Sequence, residues 1–343
     1  MDSTLRRLGG IGTTALLAVG LAACGAEPAG RDGGETAPGD GAFPVSIEHA
    51  LGSAEIPEAP ERVVTLGQGS AETAIALGVT PVGIESYEWG SDETGYLPWI
   101  HEAVTEAGDE LPTQFTGADD IDFEAVIELE PDVILAPWSG ITQEQYDILT
   151  DIAPTVAYAE EAWNAEWDEQ IEVIGQALGR PEQAQGLIED IEGRFAAVAE
   201  EHPEFEELVF SYVYTDGPGT LGVLMPTEQR VAMVSNMGLT VDPVVETLPE
   251  TEGTDSALIG LENADQLRDS DLIFTFYTDA ETRAEIEAQD LYAAIPAIER
   301  GSVVASDDTS FVTASSIINP LTVPWVIDRY VPLIQEAAEK AEG

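Results

Sequence analysis

Short β-branched segments, each running into a small polar turn and then a helical pattern, fill both halves of this chain, and one long helical stretch separates the halves. Arg62-Val63-Val64-Thr65-Leu66 runs into Gly67-Gln68-Gly69-Ser70 and a helix from Ala71 to Leu77 that stops at Gly78. Pro81 to Glu85 opens onto Ser86 to Trp89, Val133 to Ala136 opens onto Pro137-Trp138-Ser139-Gly140, and Thr155 to Tyr158 follows. Apolar strands that alternate with helices predict a parallel sheet covered on both faces. The rhythm then breaks. A helix over Trp167 to Leu178 stops at Gly179, and Pro181, suited to a first helical turn, begins a run in which Leu187, Ile188, Ile191, Phe195, Ala196 and Val198 recur at helical spacing until Pro203. At about 1.5 Å per residue, a helix from Pro181 to Glu201 spans roughly 30 Å, about the diameter of a small domain, and acts as a rigid rod. Alternation resumes with strands over Leu208 to Tyr214, Leu272 to Phe276 and Val303 to Ala305, and a helix over Pro324 to Ala341 closes the chain. The expected organisation is an α/β lobe at 44–160, a connecting helical segment at 161–203 and a second α/β lobe at 204–343.

The single cysteine, Cys24, lies in Leu21-Ala22-Ala23-Cys24-Gly25, behind Arg6, Arg7 and a largely apolar run from Leu8 to Val19. A basic start, a short apolar run and small residues before a cut site are the parts of a secretory signal, and the run falls short of the roughly 20 residues that a membrane span needs. Residues 1–23 are therefore expected to direct export. Residues 24–43, rich in Gly, Pro, Ala and acids without periodicity, read as a flexible tether. No cysteine remains beyond Cys24, which excludes a disulfide or thiolate metal site from the globule.

Charge narrows the partners. Sixty-six acidic residues stand against 12 lysines and arginines, a net charge of −54. Such a field repels nucleic acid and anionic headgroups, and it strains the compact state unless salt screens it. A saline or alkaline habitat would account for it, as would a solvated acidic surface of no environmental meaning.

The two halves share a segment: Ile121-Asp122-Phe123-Glu124-Ala125-Val126 leading to Pro131-Asp132-Val133-Ile134 parallels Ile259-Gly260-Leu261-Glu262-Asn263-Ala264 leading to Asp271-Leu272-Ile273. Each copy is expected to be an amphipathic helix feeding a buried strand, so the lobes should be alike. With this repeat, the Leu-Ala-Ala-Cys box, Pro60-Glu61-Arg62-Val63-Val64, Glu72 with Leu77-Gly78, Trp138 to Tyr146 followed by Ile152-Ala153-Pro154-Thr155, and Ile295-Pro296-Ala297-Ile298 before Gly301 to Val304, the chain resembles the helical-backbone (class III) substrate-binding lipoproteins of iron-siderophore ABC importers, of the actinobacterial branch. The resemblance covers about residue 44 to the C terminus. It implies two Rossmann-like lobes with parallel sheets, joined by a long rigid helix around a ligand cleft. It also implies acylation of Cys24, anchoring on the outer face of the cytoplasmic membrane, capture of a ferric siderophore and delivery to a permease dimer by a monomeric protein. No cofactor is implied, since ferric iron enters only within the siderophore.

Ligands of open α/β sheets sit beyond the carboxyl ends of strands, so the post-strand loops supply the candidates. Tyr87, Trp89, Trp138 and Tyr277 offer flat amphipathic surface, and Gln68, Ser70, Ser139, Thr215 and Thr309 offer hydrogen bonds. Arg230 is a scarce cation suited to an oxygen-rich ferric complex. Glu72 resembles the first-lobe glutamate with which this family docks to permease arginines; the second lobe carries Ala232 at the analogous position, leaving Glu228 as its substitute. A direct zinc or manganese site would need convergent imidazoles, and His49, His101 and His202 lie far apart in sequence. An exported hydrolase would need a nucleophile elbow or a phosphate loop, and neither motif is present. Vitamin B12 and haem remain alternative cargoes.

Overall fold

The structure is a computed structural model that describes residues 42–117, 120–215, 217, 219–251 and 254–341. The expected signal at 1–23, the lipidation site Cys24, nearly all of the tether, and Asp216 and Pro218 lie outside the described residues. Among those described, no helix is long and apolar enough to cross a membrane.

The first lobe opens with an antiparallel hairpin, β1 (Val45–His49) and β2 (Gly52–Ile56), which the sequence did not announce. It continues with β3 (Val63–Thr65), α1 (Ser70–Ala76), β4 (Gly83–Glu85), α2 (Pro98–Ala107), β5 (Thr113–Phe115), α3 (Phe123–Glu128), β6 (Val133–Leu135), α4 (Gln143–Ile152) and β7 (Thr155–Val156). Five strands pair in the order β5-β4-β3-β6-β7, all parallel. Successive strand residues serve opposite cores: Val63, Val133 and Leu135 join one cluster, Val64 and Ile134 the other. Burial on both faces is why these strands are apolar throughout rather than alternating.

Two helices follow, α5 (Trp167–Ala177) and α6 (Pro181–Glu201). Here the expected 161–203 connector divides. The helix α5 packs on α1 and β1 and is part of the first lobe, while α6 alone is the rod; its stripe Ala184, Ile188, Ile191, Phe195 and Val198 is buried. The Arg180 guanidinium between the two helices donates to the Leu77 carbonyl at the end of α1, fixing the rod to the first lobe.

The second lobe comprises β8 (Val209–Tyr214), β9 (Gly222–Leu224), α7 (Gln229–Asn236), β10 (Thr240–Val241), β11 (Ser256–Leu258), β12 (Leu272–Phe276), α8 (Ala280–Glu287), α9 (Asp290–Ala293), α10 (Pro296–Arg300), β13 (Val303–Ser306), α11 (Thr309–Ala314) and α12 (Thr322–Ala341). Its sheet is mixed: the expected parallel strands are joined by an antiparallel pair. Strands β8, β10, β12 and β13 run parallel, whereas β9 and β11 pair antiparallel at one side. One edge of β8 is shared, Val209 and Phe210 pairing with β10 and Val213 and Tyr214 with β9.

The sequence repeat corresponds to one structural device used twice. Asp132, before β6, accepts the Arg62 and Glu61 amides at the entry of β3, and Asp271, before β12, accepts the Val209 amide at the entry of β8. Each acid ties a strand to its central neighbour. The preceding segments differ: Phe123–Glu128 is an α-helix, but Leu261–Leu267 is a 3₁₀ helix, a correction to the two similar helices expected.

Candidate functional site

Strand order in the first lobe reverses between β3 and β6, where loops after parallel strands diverge and leave a crevice. The chain narrows that crevice through Gly67. Its φ is +78°, and a Cβ there would collide with the Trp138 carbonyl oxygen, so the loops after β3 and β6 lie backbone against backbone. Gln68 and Trp138 are thereby presented side by side. Buried carboxylates hold the first loop: Glu85 accepts the Gly67 amide at 2.8 Å, and Glu72 accepts the Gly69 amide at 3.0 Å. From α5, Gln170 donates to the Gln68 carbonyl at 2.7 Å and fills the space a side chain on Gly69 would need.

Across from this crevice stands the N-terminus of α7. Glu228 caps that helix, one carboxylate oxygen accepting the Arg230 amide at 2.7 Å and the other accepting from the Arg230 guanidinium. The guanidinium lies 5.4 Å from the Phe276 ring centre, and its Nε is buried without an acceptor. Burial pushes the Glu228 carboxyl above its ordinary value, with Arg230 opposing. Tyr212, buried beneath the pair, is pushed up to about 12 by desolvation.

A cavity of about 90 Å³ joins the two sides, lined by Gln68, Trp138, Trp163 and Glu166 from the first lobe and by Glu228, Gln229, Arg230 and Asp255 from the second. Trp138 and Trp163 meet edge to face at 4.9 Å. Trp163 is 44% exposed and has a left-handed backbone, φ 62°, a conformation a bulky residue adopts only when its surroundings impose it. A side chain on Gly140 would overlap the Trp163 indole, so the ring lies directly on that glycine.

Of the ten residues expected to meet ligand, Gln68, Trp138 and Arg230 line this cavity. Others turn elsewhere. Ser70 is fully buried beside Gln170, Ser139 is buried and donates to the Ala136 carbonyl, and Tyr277 is buried with its hydroxyl on Tyr292, lining a separate cavity with Arg283 and Lys340. The Tyr87 phenol is pushed well above its usual value by burial and then by Glu85 and Glu72, and it sits behind the loop rather than in the cavity. Trp89 is 46% exposed on a loop that crosses to the second lobe, where Ser310 donates to the Gly90 carbonyl at 2.9 Å. Thr309 begins α11 beside that crossing, and the Thr215 hydroxyl is buried without a partner; neither lines the cavity.

The docking assignments change. Glu72 is 2% exposed, its second oxygen accepting from the Trp99 indole at 3.0 Å, so it is a structural carboxylate held inside the lobe. Glu228 belongs to the cleft. Trp163, Glu166, Gln229 and Asp255 are not among the residues the sequence singled out; the signal for the first two was their position in the loop after β7. The histidines are spent separately: His49 bonds the Thr155 carbonyl and His202 stacks on Phe205. Among the described residues no cluster of three or more His, Cys, Asp or Glu is placed to hold a metal ion.

Tryptophans wall one side of this cleft between two α/β lobes, and an arginine walls the other. Residues 63–309 match the periplasmic binding protein family, and the chain belongs to that family. The probable siderophore-binding lipoprotein YfiY of Bacillus subtilis (strain 168) is 24% identical over 290 residues, 79% of this chain and 83% of its own. PiaA of Streptococcus pneumoniae TIGR4, solved in complex with ferrichrome, shares the fold with a TM-score of 0.77 at 30% identity, over 86% of this chain and 99% of that chain. A cobalamin-binding protein of Halobacterium salinarum is 28% identical over 197 residues, 52% of this chain and 47% of its own.

Proposed function

We propose that this protein is the substrate-binding component of an ABC importer, exported and anchored through Cys24, that captures a ferric siderophore between its lobes and delivers it to a permease. The observation that carries the reading is the likeness to the ferrichrome-bound protein, which extends over 86% of this chain and so reaches both lobes. The chemistry supports it: two indoles supply flat amphipathic surface, and Gln68, Gln229 and Arg230 supply donors for an oxygen-rich complex whose iron is already ligated. Cargo needs room. A volume of about 90 Å³ is well below the roughly 300–1,000 Å³ of ordinary ligand sites, so loading parts the lobes or their loops.

Delivery requires acids that a permease could reach. Glu124 and Glu262 occupy matching positions of the repeat, one per lobe, and both are exposed, as Glu72 and Glu228 are not. They replace Glu72 and Glu228 as the docking pair. Charge reversal at both should leave ligand affinity unchanged and abolish uptake in cells.

The test of cargo is a titration of the mature protein, followed by tryptophan fluorescence, with ferric and iron-free hydroxamate siderophores, cyanocobalamin, haem and bare zinc. Quenching by the ferric complexes at micromolar or lower concentration is expected. Response to cobalamin alone would favour the second reading, which rests on relatives matching about half of this chain, and response to zinc alone would remove the siderophore from the account.

A further inference from the structure

Among the described residues, four charged groups line the cavity, and they do not cancel. Arg230 is neutralised in place by Glu228, which also caps its helix, so the guanidinium meets a ligand as a hydrogen-bond donor rather than as surplus positive charge. Glu166 enters from the first lobe and Asp255 from the second, and no further lysine or arginine among the described residues lines the cavity. Partial burial raises the Glu166 carboxyl, and Asp168, Glu169 and Asp255 raise it further, so the acids of the two lobes oppose one another across the gap. Beside them stand the Trp138 and Trp163 rings, whose faces attract cations. The field of the whole chain, at −54, has the same sign.

Resting on the siderophore reading above, we propose that the cleft selects ferric siderophores of neutral or positive total charge, with Glu228 cancelling Arg230 and Glu166 and Asp255 rejecting anionic complexes. A neutral tris-hydroxamate fits the donors, and a pendant ammonium fits between the indoles and the two acids. Complexes bearing free carboxylates or catecholates bring negative charge to a site already negative. At separations of several ångströms and a protein-like dielectric, one misplaced charge changes affinity by roughly tenfold or more.

Three ferric tris-hydroxamates on one skeleton test this, differing only at a terminal amine that is free, acetylated or succinylated and therefore positive, neutral or negative. The mature protein should bind the first two with similar or descending affinity and the succinylated complex at least roughly tenfold more weakly. Glu228→Gln, which keeps an oxygen to cap α7 but releases the charge of Arg230, should tighten the succinylated complex and weaken the free amine. Glu166→Gln, on an exposed loop, and Asp255→Asn, at a left-handed position that asparagine tolerates, should each narrow the gap. Equal or tighter binding of the succinylated complex by the unmodified protein would overturn the charge selection and leave the siderophore reading standing. Silence with all three complexes would overturn both.

Discussion

The two lobes share a plan but differ in how they are held. Arg62 is the only lysine or arginine between residues 44 and 160, whereas the second lobe carries Arg230, Arg268, Arg283, Arg300, Arg329 and Lys340 against a comparable load of acids. Among the described residues every ion pair lies on α6 or in the second lobe. Arg62 itself donates to the Leu129 and Glu130 carbonyls at the end of α3. Lacking cations, the first lobe satisfies its buried carboxylates with N–H donors, Gly67 on Glu85 and Gly69 and the Trp99 indole on Glu72. The second builds its cleft wall from one ion pair. The lesson is that a loop pinned through its backbone is set by the fold, whereas a wall made of side-chain charges is open to retuning by single substitutions.

The sharpest way to break this contrast is to add one methyl group to the loop after the central strand of each lobe. Gly67 (φ +78°) and Gly219 (φ +84°) follow β3 and β8, and both have left-handed backbones. A Cβ on Gly67 runs into the Trp138 backbone, while one on Gly219 meets nothing within 4 Å. Gly219→Ala should cost about 1 kcal/mol, the conformational penalty alone, and Gly67→Ala about 4 kcal/mol, since steric overlap is added. Chemical denaturation compares them directly. Equal costs would mean that the loops after β3 and β6 are not locked together.

Glu72 comes next in size. Glu72→Ala strands two buried donors and should cost about 3 kcal/mol. Its pH dependence gives a second reading. Burial raises the folded carboxyl above its ordinary value, against the opposing bonds from Trp99 and Gly69, so the folded state binds more protons than the unfolded state between those two values. The stability linked to this group is therefore present at acid pH and is lost as pH rises from the ordinary carboxylate range through the raised folded value. Glu72→Gln, which does not titrate, should gain on the unmodified protein over that window. A constant difference between the two from pH 4 to 8 would show that the carboxyl is not desolvated.

What the residues alone could convey follows from the same contrast. The rod Pro181–Glu201 and the strands around Val63, Val133 and Leu272 were legible because burial writes itself into apolar spacing. The antiparallel pairing of β9 and β11 was not, since strands of three residues carry too little pattern to reveal direction. At the site, sequence identified the loops but not the way each side chain turns. Ser139 and Tyr277 stand after strands as expected and face inward. Glu72 and Glu228 stood out in the sequence as docking acids, and only burial and partners separate them from the exposed Glu124 and Glu262. Gln68, Trp138 and Arg230 line the cavity because a loop tip at a switch point and a helix N-terminus leave few other directions.

The smallest expected effect concerns salt, and it sharpens the comparison most finely. Screening weakens repulsion among exposed acids and also weakens surface ion pairs, each worth about 0–1 kcal/mol. In the second lobe the two changes oppose each other, because Arg268–Asp265, Arg283–Glu287 and Lys340–Glu336 are surface pairs. In the first lobe, among the described residues, no ion pair is present to be weakened, so the screening of repulsion dominates. Raising sodium chloride from roughly 0.1 M to roughly 2 M shortens the screening length from about 10 Å to a few ångströms, so the whole protein should melt at a higher temperature. Hydrogen exchange followed residue by residue should show the larger gain in protection in the first lobe, at the amides of β3, β4 and β6. A uniform gain across both sheets would mean that the lobes open only together, through α6. A larger gain in the second lobe would mean that its acids, not those around Arg62, dominate the self-repulsion.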